Sequence, residues 1–441
     1  MPTRVAEPLP APALPESATS FASNVLALIV GLCVIWVLAQ QSDAQVGRWV
    51  AYPPLLPCVA VFVVIVAAEW LLRLSRRRAP AALSATPLRP IDFGRVALRL
   101  LGFIATLALI AFVYWLFPEY GGSFYNPYWH FLRSLAPVSL LVPFYFIWAD
   151  SRVAEPRDEF VQFGLLVCGR WREVDPSVIK RHLLGWTVKA FFLPLMSVYL
   201  SDELSHLYAA VRSYGVMNVL RFDAWFHVSY TIDLLFCVIG YTATTRLLDS
   251  HMRSVEPTML GWVAALICYQ PFYSVIGRFY LQYEGNLYWD SWLQPWPLLQ
   301  TAWGGAIILL SMIYALCTVA FGLRFSNLTH RGIITGGPYL LTKHPAYLSK
   351  NLSWWLISVP FVLTPDVLAS LRHCALLLLL NGVYFLRART EERHLSIDPA
   401  YVAYAQWMNE HGMLRVLGRI LPWLRYQAPI PATASGGARP R

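Results

Sequence analysis

Apolar stretches of about 20 residues recur along this 441-residue chain, and that recurrence restricts its fold more than any motif does. A backbone crossing ~30 Å of hydrocarbon must satisfy its polar groups internally, which a helix of ~20 residues achieves. Ten such segments are legible, at about 21–41, 52–74, 97–117, 131–149, 182–200, 229–248, 258–277, 299–322, 346–363 and 367–386. Hydrophobic residues make up 57% of the chain and charged ones only 14%, which excludes an ordinary soluble domain. The expected fold class is therefore all-α: a polytopic transmembrane bundle of about ten helices. Lys189 and Pro194 in the fifth segment and Pro360 in the ninth oppose a regular apolar helix.

Arginine placement gives an orientation. With the N-terminus cytoplasmic, the inner loops hold Arg76–Arg78, Arg89 and Arg95, then Arg152 through Arg181, Arg253, Arg324, Arg331, Lys343 and Lys350, and the tail adds Arg387 through Arg441. The outer loops carry Arg48, Arg212, Arg221 and Arg278. A ratio of roughly 25 to 4 is a positive-inside bias that puts both termini in the cytoplasm. The net charge of +10 fits a face attracted to anionic headgroups, and no nucleic-acid partner is needed to explain it. The seven cysteines lack CxxC spacing and lie mostly in apolar segments, so neither disulfides nor a metal site is indicated. With no signal peptide legible, a bacterial inner membrane is the expected location.

Four regions are expected: a disordered cytoplasmic extension at 1–20, an N-terminal transmembrane region of unassigned role at 21–298, a module at 299–426 with short loops and specific polar motifs, and a disordered tail at 427–441. Thr364-Pro365-Asp366 is too short to let the last two helices do anything but pack as antiparallel neighbours. Within the N-terminal region, Asp233 and Lys189 are intramembrane charges at different depths that raise the question of a functional pair. Glu69 lies within reach of the basic run Arg73–Arg78 and reads as its structural partner.

The chemistry-bearing residues cluster in the last quarter. Gly336-Gly337-Pro338 marks a turn before Tyr339. His344 precedes Pro345, so its backbone is pushed toward extended geometry while Pro345 suits the first helical position. This places His344 at a helix N-terminus, where free N–H groups favour an anion such as a ligand carboxylate. Arg387 and Glu391 are four apart on one helical face, and Glu392 follows. Arginine offers a fork matched to a carboxylate, and glutamate accepts from an ammonium or from ribose hydroxyls. The hairpin returns Glu391 to the side where His344 begins. Tyr401 and Tyr404, three apart, supply an aromatic face to cover a pocket.

These motifs, in this order, resemble the isoprenylcysteine carboxyl methyltransferases and their relatives, the integral-membrane phospholipid methyltransferases. The resemblance covers about 299–410 and rests on Ser326-Asn327-Leu328-Thr329-x-Arg331-Gly332, Gly336-Gly337-Pro338-Tyr339, His344-Pro345-x-Tyr347, Arg387-x-x-x-Glu391-Glu392 and Tyr401-x-x-Tyr404. It implies an S-adenosylmethionine-dependent methyltransferase whose lipophilic or lipid-modified substrate arrives from the bilayer. It further implies that Tyr339, His344, Pro345, Tyr347 and Glu391 line the cofactor pocket, with Arg387 and Glu392 as catalytic residues orienting cofactor or substrate. Lys343 stands where the resemblance has arginine, and Ser349 and Lys350 follow Tyr347 where a small residue is common. Two other readings share some of these features: a sterol-reductase-like membrane protein using NADPH, which has a similar His-Pro-x-Tyr hairpin, and a transporter or lipid-binding protein with no enzymatic activity.

Overall fold

A computed structural model describes residues 13–42, 45–47, 50–72, 83–214, 221–285, 287–363 and 366–428. Among these, helices dominate: α1 (Phe21–Ala39), α2 (Leu55–Leu71), α3 (Phe93–Leu116), α4 (Asn126–Ser139), α5 (Val142–Asp150), α6 (Glu159–Val167), α7 (Pro176–Tyr214), α8 (Phe222–Thr242), α9 (Met259–Leu266), α10 (Phe272–Phe279), α11 (Trp289–Leu293), α12 (Pro297–Phe321), α13 (Pro345–Ser358), α14 (Val367–Leu395), α15 (Pro399–His411) and α16 (Arg415–Ile420). The strands β1 (Ser254–Val255) and β2 (Thr329–His330) pair antiparallel, Ser254 opposite His330 and Val255 opposite Thr329.

Among the described residues, six helices are long and apolar enough to cross a membrane: α1, α3, α7, α8, α12 and α14. The other four expected spans are short or broken. α2 has 17 residues and α13 only 14. The fourth expected span is split into α4 and α5, bent by 51°; Pro137 lies inside α4 and Pro143 opens α5, each removing a backbone donor. The seventh is split into α9 and α10 around Pro271. α13 stops because Val359 adopts φ +37°, a left-handed conformation that a β-branched residue rarely takes, immediately before Pro360.

Sequence chemistry sets the helix starts. Ser20, Asp92, Asp158, Thr258, Asp366 and Asp398 each cap a helix with a side-chain oxygen that accepts a backbone N–H of the first turn. The 39-residue α7 continues through Pro194. Proline cannot donate to the carbonyl four residues back, that of Ala190, and the Tyr114 hydroxyl of α3 donates to it instead at 2.7 Å. α3 and α6 approach backbone to backbone at Gly102 and Gly164, where a Cβ on either glycine would collide with the facing chain.

Several expectations about chain organisation change. Residues 13–20 do not form a free extension. Ala18 N–H donates to Ile333 O at 2.8 Å, Thr335 Oγ1 donates to Pro15 O at 2.9 Å, and Thr19 Oγ1 donates to Ala320 O at 2.6 Å. The chain is held there because its backbone finds donors and acceptors beside the glycine turn. No structural boundary falls at 298, since one buried core runs from Ala27 through α7 and α8 to Leu323. Lys189 and Asp233 do not pair. Asp233 accepts from Tyr314 OH at 3.0 Å and from Thr318 Oγ1, both on α12, while Lys189 lies over the Trp186 ring at 4.6 Å. The Thr364-Pro365 link, the basic run proposed for Glu69, and all but the first residues of the expected tail lie outside the described residues.

Candidate functional site

The segment joining α12 to α13 is pinned by one buried guanidinium. Arg331 donates to four backbone carbonyls: Ser250 at 2.6 Å, Gly240 at 2.8 Å, Phe325 at 2.7 Å and Leu323 at 2.8 Å. These carbonyls belong to the ends of α8 and α12 and to the loop before β1, so one side chain fixes the β1–β2 pair against the helix ends. Leu328 within this segment has φ +58°, a strained conformation for leucine on the order of 1 kcal/mol or more. Downstream, Gly337 takes φ +62° against the Phe21 ring, and Pro338 opens the short turn that carries Tyr339.

Above this frame lies a cleft enclosing about 990 Å³ of space outside protein atoms, its open mouth included. Five tyrosines line it: Tyr269, Tyr314, Tyr339, Tyr347 and Tyr384. Its charged walls are Lys350, Arg387, Glu256 and Glu391, and His344 and His394 also reach it. Of the residues singled out in the sequence, Tyr339, His344, Tyr347, Arg387 and Glu391 thus share one cavity.

The geometry around Arg387 and Glu391 is specific. They are one helical turn apart on α14, yet no ion pair joins them among the described residues. Tyr347 of α13 stands between: its hydroxyl donates to Glu391 Oε2 at 2.7 Å, and its ring lies 5.1 Å from the Arg387 guanidinium carbon. Arg387 donates from Nη2 to Asn327 Oδ1 at 2.6 Å and lies 5.5 Å from the Tyr269 ring centre. Asn327 is itself held by its Nδ2, which donates to Tyr241 OH at 2.8 Å and Tyr269 OH at 3.2 Å. Arg387 is 8% exposed, so a buried guanidinium faces the cavity without a carboxylate counter-ion. Lys350 holds its Nζ over Tyr314 at 5.1 Å and Trp354 at 5.4 Å and makes no direct ion pair among the described residues, although Asp233 acts on it electrostatically.

Two residues expected at the site stand behind it. Pro345 is the first residue of α13, buried, and only shapes the turn. Glu392 points away from the cavity and binds Lys343 Nζ at 2.5 Å, Arg389 Nη1 at 2.8 Å and His344 Nε2 at 3.2 Å. Its neighbour Glu391 faces inward because successive helical side chains point about 100° apart. The His344 side chain does not cap α13; it bonds Glu392 and stacks parallel to Tyr347 with ring centres 5.5 Å apart. Burial holds the Lys343 ammonium below the usual lysine range, against the pull of Glu392. Burial also pushes the Tyr339 phenol well above its ordinary value, with Cys317 and Glu391 adding to it, so the ring stays neutral. Tyr401 and Tyr404 do not cover the pocket either. Both are buried against Ile333 and Met408, and the Tyr404 hydroxyl donates to Tyr339 O at 2.6 Å.

The clamp has a measurable consequence. Glu392→Ala leaves Lys343 and His344 without their carboxylate, and its expected effect is a loss of about 3–5 kcal/mol in stability. Thermal unfolding in detergent checks this: a variant that melts as the parent does would show that the clamp carries no such stability.

The α13–α14 hairpin is held by polar groups. Trp355 Nε1 donates to Asn381 Oδ1 at 2.8 Å, Asn381 Nδ2 to Asn351 Oδ1 at 2.7 Å, and Asn351 Nδ2 to Tyr347 O at 2.7 Å. This chain sets the depth at which Tyr347 meets Glu391. Lys350, Tyr269, Tyr314 and Tyr384 were not legible as site residues, although Lys350 marks itself as a charge three residues past Tyr347 inside an apolar segment.

No protein-family model, curated protein or solved structure matches the chain.

Proposed function

We propose that this protein is an integral membrane methyltransferase that takes its methyl group from S-adenosylmethionine and acts on a lipophilic acceptor, a prenylcysteine carboxylate or a lipid-like group, at the cytoplasmic edge of a bacterial inner membrane. The observation that carries this reading is the separation of Arg387 from Glu391 by Tyr347. A cation and an anion about one turn apart, each turned into the same cavity and kept from each other, match a zwitterionic amino-acid group: carboxylate on Arg387, ammonium on Glu391. The methionine portion of S-adenosylmethionine is such a group. The tyrosine-lined wall suits the rest of that molecule, since aromatic faces attract a positively charged sulfur and stack on a purine.

When bound, the cofactor supplies a methyl group on a sulfonium with a neutral leaving group. The protein's work is then orientation and exclusion of water. Arg387 and Glu391 fix the amino-acid end, Asn327 holds Arg387 in place, and the Glu392 clamp fixes His344 beside Tyr347. Lys350 remains as a cation for an anionic acceptor. A carboxylate acceptor needs no base; for an amine or thiol, Glu391 and His344 are among the cavity groups able to take a proton.

The balance of charge favours this reading over a dinucleotide-dependent reductase. Two acidic and two basic side chains line the cavity, and the phosphates of NADPH would meet Glu256 and Glu391. The test is methyl transfer itself. Membranes containing the protein, given methyl-labelled S-adenosylmethionine and a lipid extract, are expected to place label in the organic phase, and Glu391→Ala membranes to place at least about tenfold less. Equal labelling by both membranes would count against the cavity.

A further inference from the structure

A second cleft lies apart from the first, among α3, α4, α5, α6, α7 and the loop after α8, and it encloses about 1720 Å³ of space outside protein atoms, mouth included. Its walls are mainly apolar and aromatic. Phe103 is their centre, with Phe160 at 5.7 Å, Phe146 at 5.8 Å and Trp186 at 6.3 Å between ring centres. The mouth is rimmed by Val138, Leu141 and Leu247, which are 56%, 62% and 54% exposed. This opening exists because Pro137 and Pro143 break what would otherwise be one continuous span, swinging α5 away from α4 by 51°.

The charges in this cleft are unevenly satisfied. Asp158 is taken up by Arg99 at 2.9 Å, and Glu159 by Arg246 at 2.8 Å with Arg181 at 4.0 Å. Lys189 lines the same cleft, halfway along an apolar stretch of α7, with no ion pair or hydrogen bond among the described residues. It rests on the Trp186 ring at 4.6 Å, and the charged or titratable groups that act on it electrostatically are Arg331 and His182, neither of them an anion. An ammonium in an apolar span is unfavourable unless an anion joins it.

We propose that this cleft binds an anionic amphiphile, a hydrocarbon chain ending in a phosphate or carboxylate, with Lys189 as the counter-ion of the head and the cluster around Phe103 as the surface for the tail. The apolar rim at the α4–α5 break lets such a molecule slide in from the bilayer. The proposal does not rest on the methyltransferase reading, since no residue of this cleft lines the first cavity.

The test is equilibrium binding to the full-length protein in a neutral detergent, with labelled oleate, oleoyl lysophosphatidate and uncharged monoolein as probes. At least one anionic probe is expected to bind about tenfold or more tighter than monoolein, and the tighter of the two identifies the head as carboxylate or phosphate. Lys189→Met is expected to erase that preference without lowering the melting temperature measured free of amphiphile, because no ion pair or hydrogen bond among the described residues is lost; Lys189→Arg is expected to keep it. Met252→Trp, which fills the cleft without touching its charge, should weaken binding of all the probes. Equal affinity for charged and neutral probes in the parent protein would overturn the proposal, as would an anion preference that survives in Lys189→Met or undiminished binding of all the probes to Met252→Trp.

Discussion

Glu391→Ala and Arg387→Ala are each expected to weaken binding of S-adenosylmethionine by a factor of about 10 to 150, while the protein still inserts and purifies as the parent does. The size follows from the interaction removed: one charge-assisted hydrogen bond in a buried cavity, about 1.5–3 kcal/mol. Both variants should fold, because neither side chain is part of an ion pair among the described residues. The two substitutions act on opposite ends of one bound group, so their effects should not add. Once one end is released, the other loses much of its grip, and the double variant is expected to bind little worse than the weaker single one. Arg387→Lys keeps the charge but loses the fork that spans Asn327 and a ligand carboxylate, so it should weaken affinity by less than Arg387→Ala does. Calorimetric titration of the purified variants reads all of these. Undiminished affinity in both alanine variants would mean that the cavity does not hold the amino-acid end.

Arg331→Ala is expected to cost more than about 4 kcal/mol, enough to prevent accumulation of folded protein. Its guanidinium satisfies four buried carbonyls from three separate segments. Removing it leaves those oxygens without a donor in a region shielded from water, and each such orphan is worth about 1–3 kcal/mol. Against a total stability of about 5–15 kcal/mol this is decisive. Arg331→Lys should be nearly as damaging, because a single ammonium cannot reach in the three directions the planar group covers. Yield and thermal unfolding in detergent give the answer, and a melting temperature within about 2 °C of the parent would show that the carbonyls find other donors.

The sequence shows its long helices and its last-quarter motifs for different reasons. Hydropathy reads the removal of side chains from water, so α1, α3, α7, α8, α12 and α14 stand out. It does not read backbone continuity. Pro137, Pro143 and Pro271 sit in segments as apolar as the others, and there the helices break. Pro194 lies in an equally apolar segment and does not break α7, because Tyr114 from another helix supplies a hydrogen bond to the carbonyl it strands. That compensation is tertiary and leaves no local trace.

The same division holds at the site. Arg387, Glu391 and Tyr347 are legible because helical spacing and the hairpin bring them to one end. Glu391 and Glu392 look equivalent as letters, and only the direction of each side chain separates the cavity residue from the clamp. Tyr269 and Tyr314 come from distant segments and join the site through packing, so no spacing announces them. Asp233 was visible as a buried charge, but its partners are the hydroxyls of Tyr314 and Thr318 across α8 and α12, which position the cavity wall from behind.

The deciding measurement is calorimetric binding of S-adenosylmethionine and S-adenosylhomocysteine to the detergent-purified protein, with NADPH as comparator. Both adenosyl compounds are expected to bind, NADPH is not, and Glu391→Ala is expected to remove most of the signal. Heat from NADPH with silence from both adenosyl compounds would contradict the methyltransferase reading.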